Sequence, residues 1–113
     1  MLIVDDHEDF RASAGALLEA EGFSVVGMAA DAASALQAVA RLHPDVVLLD
    51  IQLPDVDGFA VAAKLAQLEE PPQIVFVSSR DAKTYGARVD TEAVRGFLAK
   101  RELSGAALAA LVG

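Results

Sequence analysis

Asp5 and Asp6, Asp50, Ser78 and Lys100 each stand where an apolar run stops: after Met1–Val4, Val46–Leu49, Ile74–Val77 and Val94–Ala99 respectively. Short continuous aliphatic runs of this kind read as strands buried on both faces of a parallel sheet. In such a sheet all strand C-termini lie along one edge, which is where open α/β folds bind ligands. Three carboxylates, a hydroxyl and an ammonium are therefore expected to share one shallow site. Like charges that close repel, and they raise one another's pKa unless a cation sits among them. The expected donors are oxygens, with no His or Cys cluster at the same edge. That set favours Mg²⁺ or Mn²⁺, which keeps several waters and awaits a phosphate. Asp50 can then act as a nucleophile on phosphorus, since carboxylates form aspartyl phosphates. Lys100 and the metal would neutralise phosphoryl oxygens while Ser78 donates a hydrogen bond.

The rest of the chain reads as the scaffold for that edge. Glu8–Glu21 places Phe10, Ala14, Leu17 and Leu18 on one helical stripe. Gly22 follows where a helix-terminating glycine is expected. Phe23–Met28 reads as a second strand. A second helix, Ala32–Leu42, has Asp31 as N-cap and Pro44 beyond its end. The central strand is Asp45–Asp50. Gly58–Leu68 is a third helix, capped by Asp57 and closed by Glu69-Glu70-Pro71-Pro72. Asp81–Val89 reads as a short helix held only by Ala82, Tyr85 and Val89. After the fifth strand, Val94–Ala99, a last helix spans Leu103–Val112. Five strands alternating with five helices define a (βα)5 chain, a parallel sheet with helices on both faces.

Composition narrows the classes. A chain of 113 residues, 54% hydrophobic, is long enough for one packed core and too short for two. A formal charge of −8 opposes direct nucleic-acid binding, which needs clustered Lys and Arg. No apolar run approaches the roughly 20 residues of a membrane span. Asp5 and Asp6 interrupt the N-terminal apolar run too early for a secretory signal. Cysteine is absent, so disulfides and thiolate metal sites are excluded.

Asp5-Asp6, Asp50 after Val-Val-Leu-Leu, the downstream Pro54 and Gly58, Ser78, and Gly96-Phe97-Leu98-Ala99-Lys100 together resemble the receiver domain of bacterial two-component response regulators. The resemblance covers the whole chain. It implies a flavodoxin-like α/β fold, a three-layer sandwich whose five parallel strands run in the order 2-1-3-4-5. It implies that Asp50 is the phosphoacceptor and that Asp6, Asp50 and the Gln52 backbone carbonyl bind Mg²⁺ directly, with Asp5 acting mainly through water. Ser78 falls at the switch hydroxyl and Phe97 at the switch aromatic. Many receivers carry a proline after the lysine, whereas Arg101 follows Lys100 here. That departure, with Val-Asp-Asp-His and Gly-Phe-Leu-Ala-Lys-Arg-Glu-Leu, looks most like the subgroup bearing LuxR-type helix-turn-helix output domains.

Plainer roles compete at several positions. Asp5 and Asp6 could only cap the following helix, but one acid suffices for that. Asp50 alone could be a turn residue, and Lys100 a solvated one. Ser78 is preferred over the adjacent Ser79 on strand alternation. Phe97 serves packing as readily as switching. His7 is expected to be a partly exposed first-turn histidine rather than a ligand. Asp55 and Asp57 are expected as turn and cap residues.

The expectation is thus a single receiver domain over residues 1–113, with no output domain in this chain. It is a cytoplasmic regulatory module rather than an enzyme. Its expected partners are a cognate sensor histidine kinase or phosphotransfer protein and, on phosphorylation, a second copy of itself. Neither nucleic acid nor membrane is a direct partner. The switched surface is that of the fourth helix, fifth strand and fifth helix, and the controlled output is transcription. The rivals are a degenerate receiver that binds partners without phosphorylation, a haloacid-dehalogenase-like phosphatase and a flavodoxin-like cofactor module. The phosphatase would need a second acid where Gln52 stands, and the cofactor module a glycine-rich phosphate loop that is missing.

Overall fold

The computed structural model describes residues 1–79 and 93–112. In chain order its elements are β1 (Leu2–Val4), α1 (Glu8–Ala20), β2 (Gly27–Ala29), α2 (Ala32–Leu42) and β3 (Val46–Asp50), then α3 (Gly58–Ala66), β4 (Gln73–Ser78) and β5 (Val94–Ala99). A 3₁₀ turn over Lys100–Glu102 leads into α4 (Gly105–Leu111). The sheet runs β2-β1-β3-β4-β5, and every neighbouring pair is parallel. That is the flavodoxin-like order. The expected helix over Asp81–Val89 lies outside the described residues.

Strand alternation divides the core into two layers. Leu2, Val4, Val47, Leu49, Ile74 and Phe76 face one side, where α2 and α3 contribute Ala35, Val39, Val61 and Leu65. Ile3, Val46, Leu48, Val75 and Val77 face the other, against Ala14 and Leu18 of α1 and Leu108 of α4. Because successive side chains point to opposite faces, an unbroken aliphatic run feeds both layers at once. Phe76 at the centre is fully buried and meets Phe59 of α3 with ring centroids 5.0 Å apart.

The helix starts follow their caps. Asp31 accepts a hydrogen bond from Ser34 N at 2.8 Å, and Ser34 Oγ in turn accepts one from Asp31 N at 3.4 Å, a capping box. Asp57 caps α3 through Ala60 N at 2.9 Å. Ser104 caps α4 through Ala107 N at 3.0 Å. Gly22 has φ +97° just past α1, a conformation that favours glycine.

Some element bounds differ from the sequence reading. The second strand is confined to Gly27–Ala29 rather than Phe23–Met28. Phe23 and Val25 instead pack, partly buried, against the α1/α4 layer while the chain crosses to the sheet edge. Val26 N, bonded to Met1 O at 2.8 Å, and the Met1 N-terminus, which donates to Ser24 O at 2.7 Å, anticipate the ladder. Hydrophobicity there reports burial, not strand pairing. The last helix starts after Ser104 because Lys100–Glu102 forms its own tight turn.

Candidate functional site

The strand order places β1 and β3 side by side, with β4 and β5 following. Asp5 leaves β1, Asp50 closes β3, Ser78 closes β4, and Lys100 follows β5. Side chains distant in sequence thus meet at one end of the sheet.

Asp5 is fully buried. Its Oδ1 accepts the backbone N–H of His7 at 2.8 Å and lies 3.0 Å from His7 Nδ1. Its Oδ2 makes no well-angled hydrogen bond, but Lys100 Nζ lies 2.6 Å away and neutralises it. Arg11 Nη1 donates to the Asp5 backbone carbonyl at 2.6 Å, tying α1 to the end of β1. Lys100 Nζ is also 3.6 Å from Asp50 Oδ2 and 4.6 Å from the centre of the Phe10 ring. A cation over an aromatic face is attracted by the ring quadrupole, so Phe10 helps hold the ammonium between the two acids.

Asp50 is 3% exposed, and Gln52 N donates to its Oδ1 at 3.2 Å. Burial is the main cause that raises its pKa, to about 6, and the charge of Asp5 adds to it. Lys100 and the Gln52 hydrogen bond pull the other way without cancelling the rise. Asp50 is therefore a carboxylate whose negative charge the protein alone leaves under-compensated.

The loop after β3 is fastened at both ends. Gly58 N donates to Ile51 O at 2.6 Å, and a Cβ at Gly58 would collide with the Asp50 carbonyl oxygen. Only glycine allows α3 to start this close to the strand end. Asp55 reaches across to α2, accepting from Ala32 N at 2.9 Å and Ala33 N at 3.1 Å. Those bonds at a helix N-terminus lower its pKa.

Asp6, His7, Asp50, Gln52, Leu53, Pro54, Ser79 and Lys100 line a cavity of about 240 Å³ over this edge. Ser78 is buried at the end of β4, opposite Ala99, while Ser79 reaches the cavity wall. Phe97 is half-buried on β5, paired with Phe76 and packed on the α2/α3 layer.

One donor atom from each of Asp5, Asp6, His7 and Asp50 falls within 4.8 Å of the others. Three carboxylates against one ammonium, with the Asp50 pKa raised by burial and by the charge of Asp5, are what a divalent cation would relieve. The donor set fits a hard or borderline ion. His7 stands at the same edge, its Nδ1 3.0 Å from Asp5 Oδ1 and 3.1 Å from Asp6 Oδ1. It is also the N-cap residue of α1, with a side chain 68% exposed, as a first-turn histidine should be. The sequence signal was its adjacency to two acids. Arg11, Phe10 and Asp55 carried no comparable signal, because each acts on residues or elements chosen by the fold.

Residues 1–112 match the family model of the response regulator receiver domain, and the chain belongs to that family. It is 37% identical over 102 residues to a Pseudomonas aeruginosa protein bearing the name of a transcriptional regulator, covering 90% of this chain and 49% of that one. The chain thus spans about half the length of that relative. Among solved structures, the NarL signal receiver domain of Mycobacterium tuberculosis superposes with TM-score 0.81 at 33% identity, covering 97% of this chain and 93% of that one. A LuxR-family two-component response regulator from Aurantimonas sp. SI85-9A1 superposes with TM-score 0.83 at 27% identity, covering 96% and 78%. The chain is a receiver domain of the two-component type, similar to those of LuxR-family regulators. Among the described residues no helix is long and apolar enough to cross a membrane.

Proposed function

We propose that this domain accepts a phosphoryl group on Asp50 from the phosphohistidine of a sensor histidine kinase or phosphotransfer protein. The gathering of Asp50, Lys100, Asp5 and Asp6 at one end of the sheet supports that reading. An Asp50 carboxylate oxygen attacks phosphorus, a P–O bond forms, and the P–N bond breaks. The departing imidazole keeps the bonding pair and is protonated from solvent. Burial holds the Asp50 carboxylate at a rigid strand end, facing a cavity with room for a phosphoryl group. Lys100, 3.6 Å away, is placed to take one phosphoryl oxygen without large movement.

Asp5, Asp6, Asp50 and the Gln52 backbone carbonyl would hold Mg²⁺, which offsets the negative charge of the incoming phosphoryl oxygens. The Ser78 hydroxyl then bonds the aspartyl phosphate, Phe97 turns inward, and the surface around β5 and α4 changes shape. Such a change is a shift between two populations, its size set by differential contacts. The output is dimerisation or release of an effector, leading to control of transcription in the cytoplasm. The domain acts stoichiometrically rather than as a turnover enzyme.

The test is incubation with acetyl phosphate and Mg²⁺ followed by intact mass, beside an Asp50→Asn control. One added phosphoryl group in the wild type and none in the control is the expected result. No gain with either acetyl phosphate or a cognate kinase would overturn it in favour of a phosphorylation-independent interaction module.

A further inference from the structure

We propose that His7 is a further ligand of the cation site, its Nδ1 giving a mixed oxygen–nitrogen donor set that favours Mn²⁺ and later first-row divalent ions over Mg²⁺. The inference rests on the reading of Asp5, Asp6 and Asp50 as the cation site and assigns it a metal preference.

Three observations carry it. First, His7 Nδ1 lies 3.0 Å from Asp5 Oδ1 and 3.1 Å from Asp6 Oδ1. Ligands bonded at about 2.1 Å in adjacent corners of an octahedron stand roughly 3 Å apart, so these spacings fit one shared ion. Second, the backbone fixes where the ring starts. His7 N donates to Asp5 Oδ1 at 2.8 Å, and His7 is the N-cap of α1, so its Cα is tied to the acid it would share a metal with. Third, the ring is 68% exposed, and tilting it onto an ion disturbs no packed core.

The chemistry of the donors then sets the preference. Mg²⁺ prefers oxygen and surrenders its waters reluctantly. Imidazole nitrogen suits the transition ions, whose affinity rises from Mn²⁺ through Co²⁺ and Ni²⁺. An imidazole beside carboxylates therefore strengthens the second group while adding little for the first. The competing explanation is a plain hydrogen bond from a protonated Nδ1 to the two acids, which needs no metal.

The experiment uses the full chain with Mn²⁺ and Mg²⁺ alone, in wild type, His7→Ala, His7→Gln and Asp50→Asn. Pulsed electron paramagnetic resonance of bound Mn²⁺ is expected to show directly bonded nitrogen in wild type and none in His7→Ala or His7→Gln. The Mn²⁺-to-Mg²⁺ affinity ratio is expected to fall in both His7 variants by on the order of tenfold, the loss that even outer-shell partners of a metal ligand cause. Binding that depends on Asp50 but shows no nitrogen coupling and an unchanged ratio overturns the His7 assignment alone. Binding that is absent, or indifferent to Asp50→Asn, overturns the cation site and the His7 assignment with it. Because His43 lies at the far end of α2, nitrogen coupling that survives in His7→Ala also counts against the assignment.

Discussion

Lys100 Nζ lies 2.6 Å from Asp5 Oδ2 and 3.6 Å from Asp50 Oδ2, so the ammonium rests nearer the fully buried Asp5 than the proposed phosphoacceptor. Removing one partner of such a pair leaves an uncompensated charge. Lys100→Ala should therefore destabilise the fold, by about 3 kcal/mol, the low end for a buried pair since Lys100 is partly exposed, read as a lower urea midpoint with unchanged slope. If Lys100 also couples phosphorylation to the surface change, the variant should still gain a phosphoryl group yet fail to shift its β5 resonances. Switching as complete as wild type would contradict that coupling.

Asp50 makes the metal-free protein sensitive to pH in a defined direction. Its folded pKa is raised to about 6, above the ordinary carboxylate value of 3.8. For a raised group the stabilising contribution is fully present below the lower value and lost as pH rises through the higher one. Without metal, stability should thus fall between about pH 4 and pH 7 through this group, by up to about 3 kcal/mol. Asp50→Asn should flatten that fall and melt higher than wild type at pH 8. Thermal melts in chelator across the range measure both.

Divalent cation should reverse the penalty. A ligand at a hundredfold its dissociation constant stabilises by about 2.7 kcal/mol, so Mg²⁺ or Mn²⁺ should raise the wild-type melting temperature by several degrees. Asp6→Asn and Asp50→Asn should lose most of the rise, and chelator should abolish it. An equal rise in all three proteins would place the ion elsewhere.

Gly58 should not tolerate a side chain. A Cβ there would strike the Asp50 carbonyl oxygen and come within 2.9 Å of Ile51 Cα, both backbone atoms that cannot swing aside. Gly58→Ala is expected to cost about 1–3 kcal/mol, the usual penalty of overpacking, and to slow Asp50 phosphorylation by displacing the strand end. Denaturant unfolding and a phosphorylation time course test the two effects separately.

Cooperation between Ser78 and Ser79 is also open to measurement. Ser78 is buried at the end of β4 and Ser79 lines the cavity. If Ser78 is the switch hydroxyl, Ser78→Ala should phosphorylate without switching, whereas Ser79→Ala should alter only the rates. The reverse result would move the switch to Ser79.

The sequence alone determined where four of the five strands run and which polar residues end them. Val46–Leu49 and Ile74–Val77 are apolar because both faces of the sheet are covered, and a strand must leave that core before it can carry Asp50 or end in Ser78. Asp31 and Asp57 were legible as caps because capping is local, reaching three residues. Phe23–Val26 misled because apolar residues record burial and not hydrogen-bond pairing. Tertiary structure decided the partners: Lys100 nearer Asp5 than Asp50, Asp55 on the start of α2, and His7 Nδ1 between Asp5 and Asp6. Hydropathy period says which face a side chain takes. Strand order, register and the direction in which each helix departs say whom it meets there, and those are properties of the whole fold.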